Sequence, residues 1–158
     1  MLRPLTDTDR EAVVTLALRA WKPVFASTRR VLGDELDARL HRPESRTFQR
    51  LAVEEVCSSD TASVSVAEED GTVVGFVAVE LYAERAVGEI YMLAVDPDHQ
   101  REGIGAALTD RALEQMAEAG MTVAMVETGG DPGHAPARRT YEHAGYTLLP
   151  VARYFKAL

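Results

Sequence analysis

The sequence predicts a mixed α/β layer fold with a strand–helix–strand unit at its centre. Three observations carry that reading. Asp70-Gly71 joins the runs "SVSVAEE" and "TVVGFVAVEL", the signature of a tight antiparallel hairpin. The run "GEIYMLAV" at 88–95 is dense enough in apolar residues for a central strand. A helical pattern follows it to about Ala119, and a second apolar run begins at Met121.

Each element has its own local reason. Residues 2–5, "LRPL", read as a short first strand. Behind an N-cap at Thr6 or Thr8, the residues Val13, Val14, Leu16, Ala17 and Ala20 recur at helical spacing. Pro23 has no N–H to donate and is expected to end or break that helix. A second helical zone covers about 34–57, interrupted near Pro43, with Leu36, Leu40, Phe48, Leu51 and Val56 as its apolar face. After "SSDTA" come the hairpin and the strand at 88–95, which Asp96-Pro97 stops. The next helix is closed by Gly120, and 121–128 reads as a buried strand. "GGDPGH" is a loop, 135–144 a short helix capped by Gly145, and "YTLLPVARYFKAL" supplies one or two final strands. No linker, repeat or low-complexity tract divides the chain, so 1–158 is expected to form a single domain.

Composition narrows the function classes. A chain of 158 residues can bury roughly 70% of its unfolded surface in one core. The net charge of −8 argues against nucleic acid as the main partner, because phosphate contacts need clustered Lys and Arg. It is compatible with a cationic small substrate. The single cysteine, Cys57, excludes an internal disulfide and suits a reducing, cytoplasmic setting. It reads as a small apolar residue rather than a thiol nucleophile. The N-terminus lacks the order of a signal peptide, and no apolar run approaches the ~20 residues needed to span a bilayer, so no membrane association is expected. Four scattered histidines show no metal-ligand spacing, so no metal is expected.

The segment "HQREGIGAALTDRAL" at 99–113 raises the chemical question. Gly103 and Gly105 stand at the mouth of a helix where alanine would be the better helix former. Glycine there makes sense if something must approach the backbone closely, and a helix N-terminus favours anions, phosphates above all. Gln100 and Arg101 add donors beside it. A phosphate loop of the Gly-Lys-Ser/Thr type is excluded by sequence. A dinucleotide turn would need a third glycine where Leu108 stands, and a shorter lead-in from Val95.

Gln-x-x-Gly-x-Gly after an apolar strand ending in "VDP" resembles the pyrophosphate motif of the GNAT superfamily of acetyl-CoA-dependent N-acetyltransferases. The later "ARRTYEHAGY" resembles that family's second signature, and the two stand in the family's order. With the hairpin before and the strands after, the resemblance covers nearly the whole chain. It implies a mixed, mostly antiparallel sheet of six to seven strands, splayed at the fourth and fifth, with helices on both faces. It also implies acetyl transfer from acetyl-CoA, as co-substrate, to a small-molecule or peptide primary amine by direct attack in a ternary complex. The rival reading is a non-catalytic acyl-CoA-binding or sensor module on the same fold.

The resemblance also distributes roles. The backbone N–H of Leu93 would stabilise the oxyanion, and backbone groups of Leu93, Ala94 and Val95 would hold the pantetheine arm. Gln100 and the amides of Arg101, Glu102, Gly103, Ile104, Gly105 and Ala106 would receive the pyrophosphate. Tyr141 matches the general acid for the leaving thiolate, either as proton donor or as a hydrogen-bond donor to sulfur; an interior aromatic is the plain alternative. Glu89, four residues before Leu93 and so expected on the same face, is a candidate base acting directly or through water. An exposed strand-end carboxylate is the alternative there, and Glu80 and Tyr91 are further candidates for the base. Many members carry Asn where this chain has His134, which leaves open whether His134 orders the loop, touches the cofactor or is merely solvated. Trp21 and Phe25, near the expected end of the first helix, fall in the region that lines the family's acceptor pocket; core packing is the other reading. The acceptor's identity stays open, as does a homodimer through the apolar "RYFKAL".

Overall fold

The computed structural model describes residues 1–40 and 45–158. Five strands form one sheet in the order β1-β2-β3-β4-β5, comprising β1 (Leu2–Pro4), β2 (Ser63–Glu69), β3 (Thr72–Tyr82), β4 (Val87–Val95) and β5 (Val123–Val126). The first four run antiparallel and β5 joins β4 in parallel, so the sheet is mixed as its connections require. The hairpin between β2 and β3 turns on Asp70 (φ 47°) and Gly71 (φ 77°). Two successive left-handed residues give the turn whose twist matches the flanking strands.

Helices cover both faces. On one, α4 (Ile104–Glu118) and α5 (Ala135–His143) seal a core of Val77, Val79, Ile90, Leu108, Ala112 and Met116. On the other, α1 (Arg10–Leu32) and α3 (Ser45–Ser58) enclose Val13, Ala17, Val53, Val66, Phe76 and Ala94. Phe76 and Leu108, both fully buried, anchor the two cores, and each such side chain is worth roughly 1.5–3 kcal/mol of burial. Gly88 lets α4 lie close on β4. A Cβ there would sit 2.4 Å from Met116 Cγ. Gly88→Ala is therefore expected to destabilise the fold by about 1–3 kcal/mol. In urea melts the midpoint should drop with an unchanged m-value; an unmoved midpoint would show that Met116 repacks freely.

Several expectations are corrected. Pro23 does not end α1, which continues to Leu32 and stops at Gly33, whose N–H donates to the Arg29 carbonyl. The missing N–H costs one helical bond, but packing holds both sides: Val13, Val14, Leu16 and Ala17 are buried before it, Ser27 after it. That outweighs the ~3 kcal/mol penalty of an interior proline. Thr6 caps a 3₁₀ turn, Asp7–Asp9, rather than α1 itself; its N–H and hydroxyl both donate to the Asp9 carboxylate. The second helical zone is two helices, α2 (Asp34–Leu40) and α3, and the interruption expected at Pro43 lies outside the described residues. Val53, Val56 and Cys57 form the buried face of α3, whereas Leu40, Phe48 and Leu51 are exposed.

At the other end, β5 is shorter than 121–128 and only half-buried, with Val123 and Met125 exposed. The final strands are not formed. Residues 146–158 make no ladder, and Leu148, Leu149, Val151 and Tyr154 are exposed. The sheet therefore has five strands among the described residues rather than six or seven. The tail makes polar surface contacts instead: Arg153 pairs with Glu127 at 2.8 Å, and Arg39 donates to the Leu158 carbonyl at 3.5 Å.

The pairing of β3 with β4 contains one irregularity that matters for the site. Val79 faces Ile90 and Ala78 faces Met92, so Tyr91 has no opposite number and bulges out, 47% exposed. A bulge inserts one residue and inverts the inside–outside alternation beyond it.

Candidate active site

The site is a notch in the sheet. β4 and β5 are paired only from Val87↔Val123 to Ile90↔Val126. Beyond Ile90 the strands part, and among the described residues the β4 edge from Tyr91 to Val95 has no strand partner on that side. Such an edge offers alternate N–H and C=O groups to an extended ligand. Leu93, Ala94 and Val95 all lie on it, although the Val95 carbonyl already accepts from Gln100 Nε2 at 3.1 Å. Gln100 thus braces the turn with its side chain.

At the end of the notch stands the N-terminus of α4. Gly103 adopts φ +87° and caps the helix, and Ala107 N–H makes the first intrahelical bond, to the Gly103 carbonyl. The amides of Ile104, Gly105 and Ala106 accordingly have no helical acceptor. Arg101 is also left-handed, φ 72°, a conformation that costs a non-glycine residue about a kilocalorie or more and folds the loop back on the helix. A Cβ on Gly103 would meet nothing within 4 Å, and one on Gly105 would meet only Val95 Cγ2 at 3.8 Å. Backbone conformation demands glycine at 103. Nothing within the protein demands it at 105. The Ile104 side chain turns inward to the core, while Arg101, Glu102 and Ala106 are exposed around the cradle.

Ion pairs hold this loop to α1: Arg19 reaches Asp96 at 2.6 Å and Asp98 at 2.8 Å. Sequence reasoning missed Arg19. The Asp96-Pro97-Asp98 turn, whose Asp96 carboxylate accepts from the Asp98 N–H, was the available signal.

Tyr141 lies on α5, only 8% exposed, its ring edge-on to Tyr146 with centroids 5.8 Å apart. Burial, with a smaller contribution from Tyr146, pushes its phenol up to about 12. It is therefore protonated throughout the physiological range and able to donate. The Tyr146 hydroxyl is itself buried without a hydrogen-bond partner among the described residues.

Glu89 does not share a face with Leu93. Across the Tyr91 bulge, Glu89 pairs with Glu80 and aligns with Met92 and Ala94 on the α1/α3 side, while Leu93 aligns with Ile90 on the α4 side. Even spacing fails because of the extra residue. Glu89 stands one residue before the last β4–β5 pair, where the notch opens. Its carboxylate accepts from the Tyr82 hydroxyl at 2.7 Å, and the Glu80 carboxylate lies 3.0 Å from the same oxygen. Tyr82 was not singled out from sequence; the register that brings it to Glu89 is set by the turn at Ala83–Arg85.

His134 is not simply solvated. Its Nδ1 contacts the Asp131 carboxylate, which also accepts from Gly133 N–H, and Gly133 N–H is shared with Ser27 Oγ of α1. Arg138 donates to the Gly129 and Asp131 carbonyls, completing a pinned loop. Trp21 and Phe25 fall mid-helix, not near the end of α1. Trp21 is half-buried and tilted against Phe76, 6.5 Å between centroids, and Phe25 is half-buried. Among the described residues, no group of three or more His, Cys, Asp or Glu is placed to hold a metal, and no helix is long and apolar enough to cross a membrane.

The sheet is opened between two strands at a helix N-terminus, within a mixed α/β fold. The family profile described as "Acetyltransferase (GNAT) family" matches residues 28–146, and the chain belongs to that family. Mycothiol acetyltransferase of Sanguibacter keddieii is 41% identical over 97 residues, covering 58% of this chain and 30% of that protein. The corresponding protein of Beutenbergia cavernae is 49% identical over 68 residues, covering 43% and 22%. The chain thus spans about a third or less of the curated relatives it matches. The PaiA N-acetyltransferase of Thermoplasma acidophilum, solved with coenzyme A, shares the fold at TM-score 0.72 and 18% identity, covering 96% of this chain and 92% of that one. An aminoglycoside acetyltransferase from an uncultured soil metagenomic sample, solved with sisomicin, does so at 0.65 and 18%, covering 100% and 95%.

Proposed function

We propose that this domain transfers the acetyl group of acetyl-CoA to a primary amine, by direct attack within a ternary complex. The observation that carries the proposal is the cradle at the head of α4. Unpaired amides converge on a space that Gly105 keeps open although no protein atom needs it. A pyrophosphate there would meet the N–H groups from Arg101 to Ala106 and the positive end of the helix. The pantetheine arm would then lie along the free edge of β4, with Leu93 N–H toward the thioester oxygen. Tyr141 would protonate the departing thiolate and Glu89 would take a proton from the amine. Trp21 and Phe25 would border the acceptor, and His134 would serve by ordering its loop rather than by touching the donor. The single cysteine and acidic balance support a cytoplasmic setting, and 1–158 acts as one unit in this reading.

Two measurements test it. Coenzyme A should bind in a calorimetric titration. Free thiol should be released from acetyl-CoA when spermidine, sisomicin, cysteine, a lysine peptide or an N-terminal alanyl peptide is supplied. Thiol release with none of these, despite tight coenzyme A binding, would favour a sensor. Glu89→Gln is expected to lower kcat/KM for the best of these acceptors about 10- to 100-fold, with coenzyme A affinity unchanged. An unaltered kcat/KM would remove Glu89 as base.

A further inference from the structure

We infer that Tyr82 and Glu80 form a proton relay that carries the amine's proton from Glu89 to solvent. The inference rests on the proposed role of Glu89. Its basis is one phenol placed between two carboxylates. The Tyr82 oxygen lies 2.7 Å from Glu89 Oε2 and 3.0 Å from Glu80 Oε2. A hydroxyl both donates and accepts, so this one can take a proton on the Glu89 side while giving its own on the Glu80 side.

The hairpin builds this geometry. Glu80 and Glu89 are direct partners across β3 and β4, and Tyr82, two residues along β3, leans over both from the same face. The tyrosine closes the strand just before a 3₁₀ turn, Ala83–Arg85. Its phenol is held above its ordinary value, first by the hydrogen bond to Glu89, so it passes a proton on without becoming a phenolate. All three side chains are partly exposed, with Glu89 nearest the notch.

The balance is as follows. An acceptor arriving as an ammonium gives one proton to Glu89. That proton passes to the Tyr82 oxygen as the Tyr82 proton passes to Glu80, which releases it to water. The neutral nitrogen attacks, the N–C bond forms and the C–S bond breaks. The second N–H proton, lost after attack, balances the one Tyr141 gives to the thiolate. Tyr82 and Glu80 are positioning residues here, acting through Glu89.

The test uses Tyr82→Phe and Glu80→Gln in the full chain, with the fastest acceptor from the panel above. Each variant is expected to lower kcat/KM for the amine roughly tenfold or more, with coenzyme A affinity within about twofold of the parent. The solvent deuterium isotope effect on kcat/KM should rise, which a merely structural loss would not cause. If Tyr82→Phe melts early, Glu80→Gln, at a partly exposed site, carries the test alone. Parental rates and isotope effects in either folded variant, alongside an impaired Glu89→Gln, overturn the relay and leave the base intact. Parental behaviour of Glu89→Gln as well removes the base, and the relay with it.

Discussion

Gly105→Glu is expected to abolish coenzyme A binding while leaving the fold as stable as before, or slightly more so. The two effects have separate causes. A carboxylate at the head of α4 fills the space now empty of protein atoms and brings a negative charge against the pyrophosphate. Two like charges about 4 Å apart at an effective dielectric near 20 cost ~4 kcal/mol, which is close to a thousandfold in affinity. The fold, by contrast, gains. Glutamate is the better helix former by about half a kilocalorie or more, and its charge suits the first turn. Calorimetric titration and thermal melts on the same sample separate the two. Undiminished binding would remove the cradle as the pyrophosphate site, and lost binding with a collapsed melt would mean the loop had unfolded.

Tyr141→Phe should lower kcat about 10²–10³-fold, within the range ascribed to a positioned acid, and leave coenzyme A affinity nearly unchanged. The substitution is clean. The ring keeps its edge contact with Tyr146 and its place in the core, and no hydrogen bond from the Tyr141 hydroxyl to the described residues is lost. Stability should therefore hold, so a fall in rate reports on chemistry. Because the phenol titrates only near 12, its own deprotonation does not shape activity between neutral pH and about 10. An alkaline decline in that range persisting in Tyr141→Phe belongs to another group. Unchanged turnover would assign Tyr141 to packing alone.

Much of the fold was legible because local chemistry and tertiary structure agree. Asp70-Gly71 specifies its turn by conformation, and Asp96-Pro97 ends β4 with a proline that cannot donate. The readings that failed are those where distant contacts decide. Pro23 sits in a helix because Ser27 and the loop at Gly133 hold the far half in place. The apolar tail has strand-like residues, yet nothing local tells whether a sheet edge will receive them. In the candidate site, Gly103 and Gly105 stood out by residue type at the mouth of a helix, and Tyr141 through the family resemblance. Arg19 and Tyr82 did not stand out, since their partners lie on other elements or across a register, and Glu80 was named only as a further candidate for the base. Glu89 was placed on the wrong face by counting in twos.

The bulge at Tyr91 has a further consequence, for alignment and redesign of this strand. Any gap-free pattern of period two drawn through 87–95 assigns one half of β4 to the wrong layer. Ile90, Leu93 and Val95 line one core, Met92 and Ala94 the other, so the phase changes in the middle. Deleting Tyr91 would make the strand look more regular on paper. In the molecule it would leave both halves of β4 facing as they do, because Ile90 and Met92 already look to opposite layers across the bulge. The irregular residue is thus the one that puts the side chains of Glu89 and Leu93, four apart in number, on opposite faces of the same short strand.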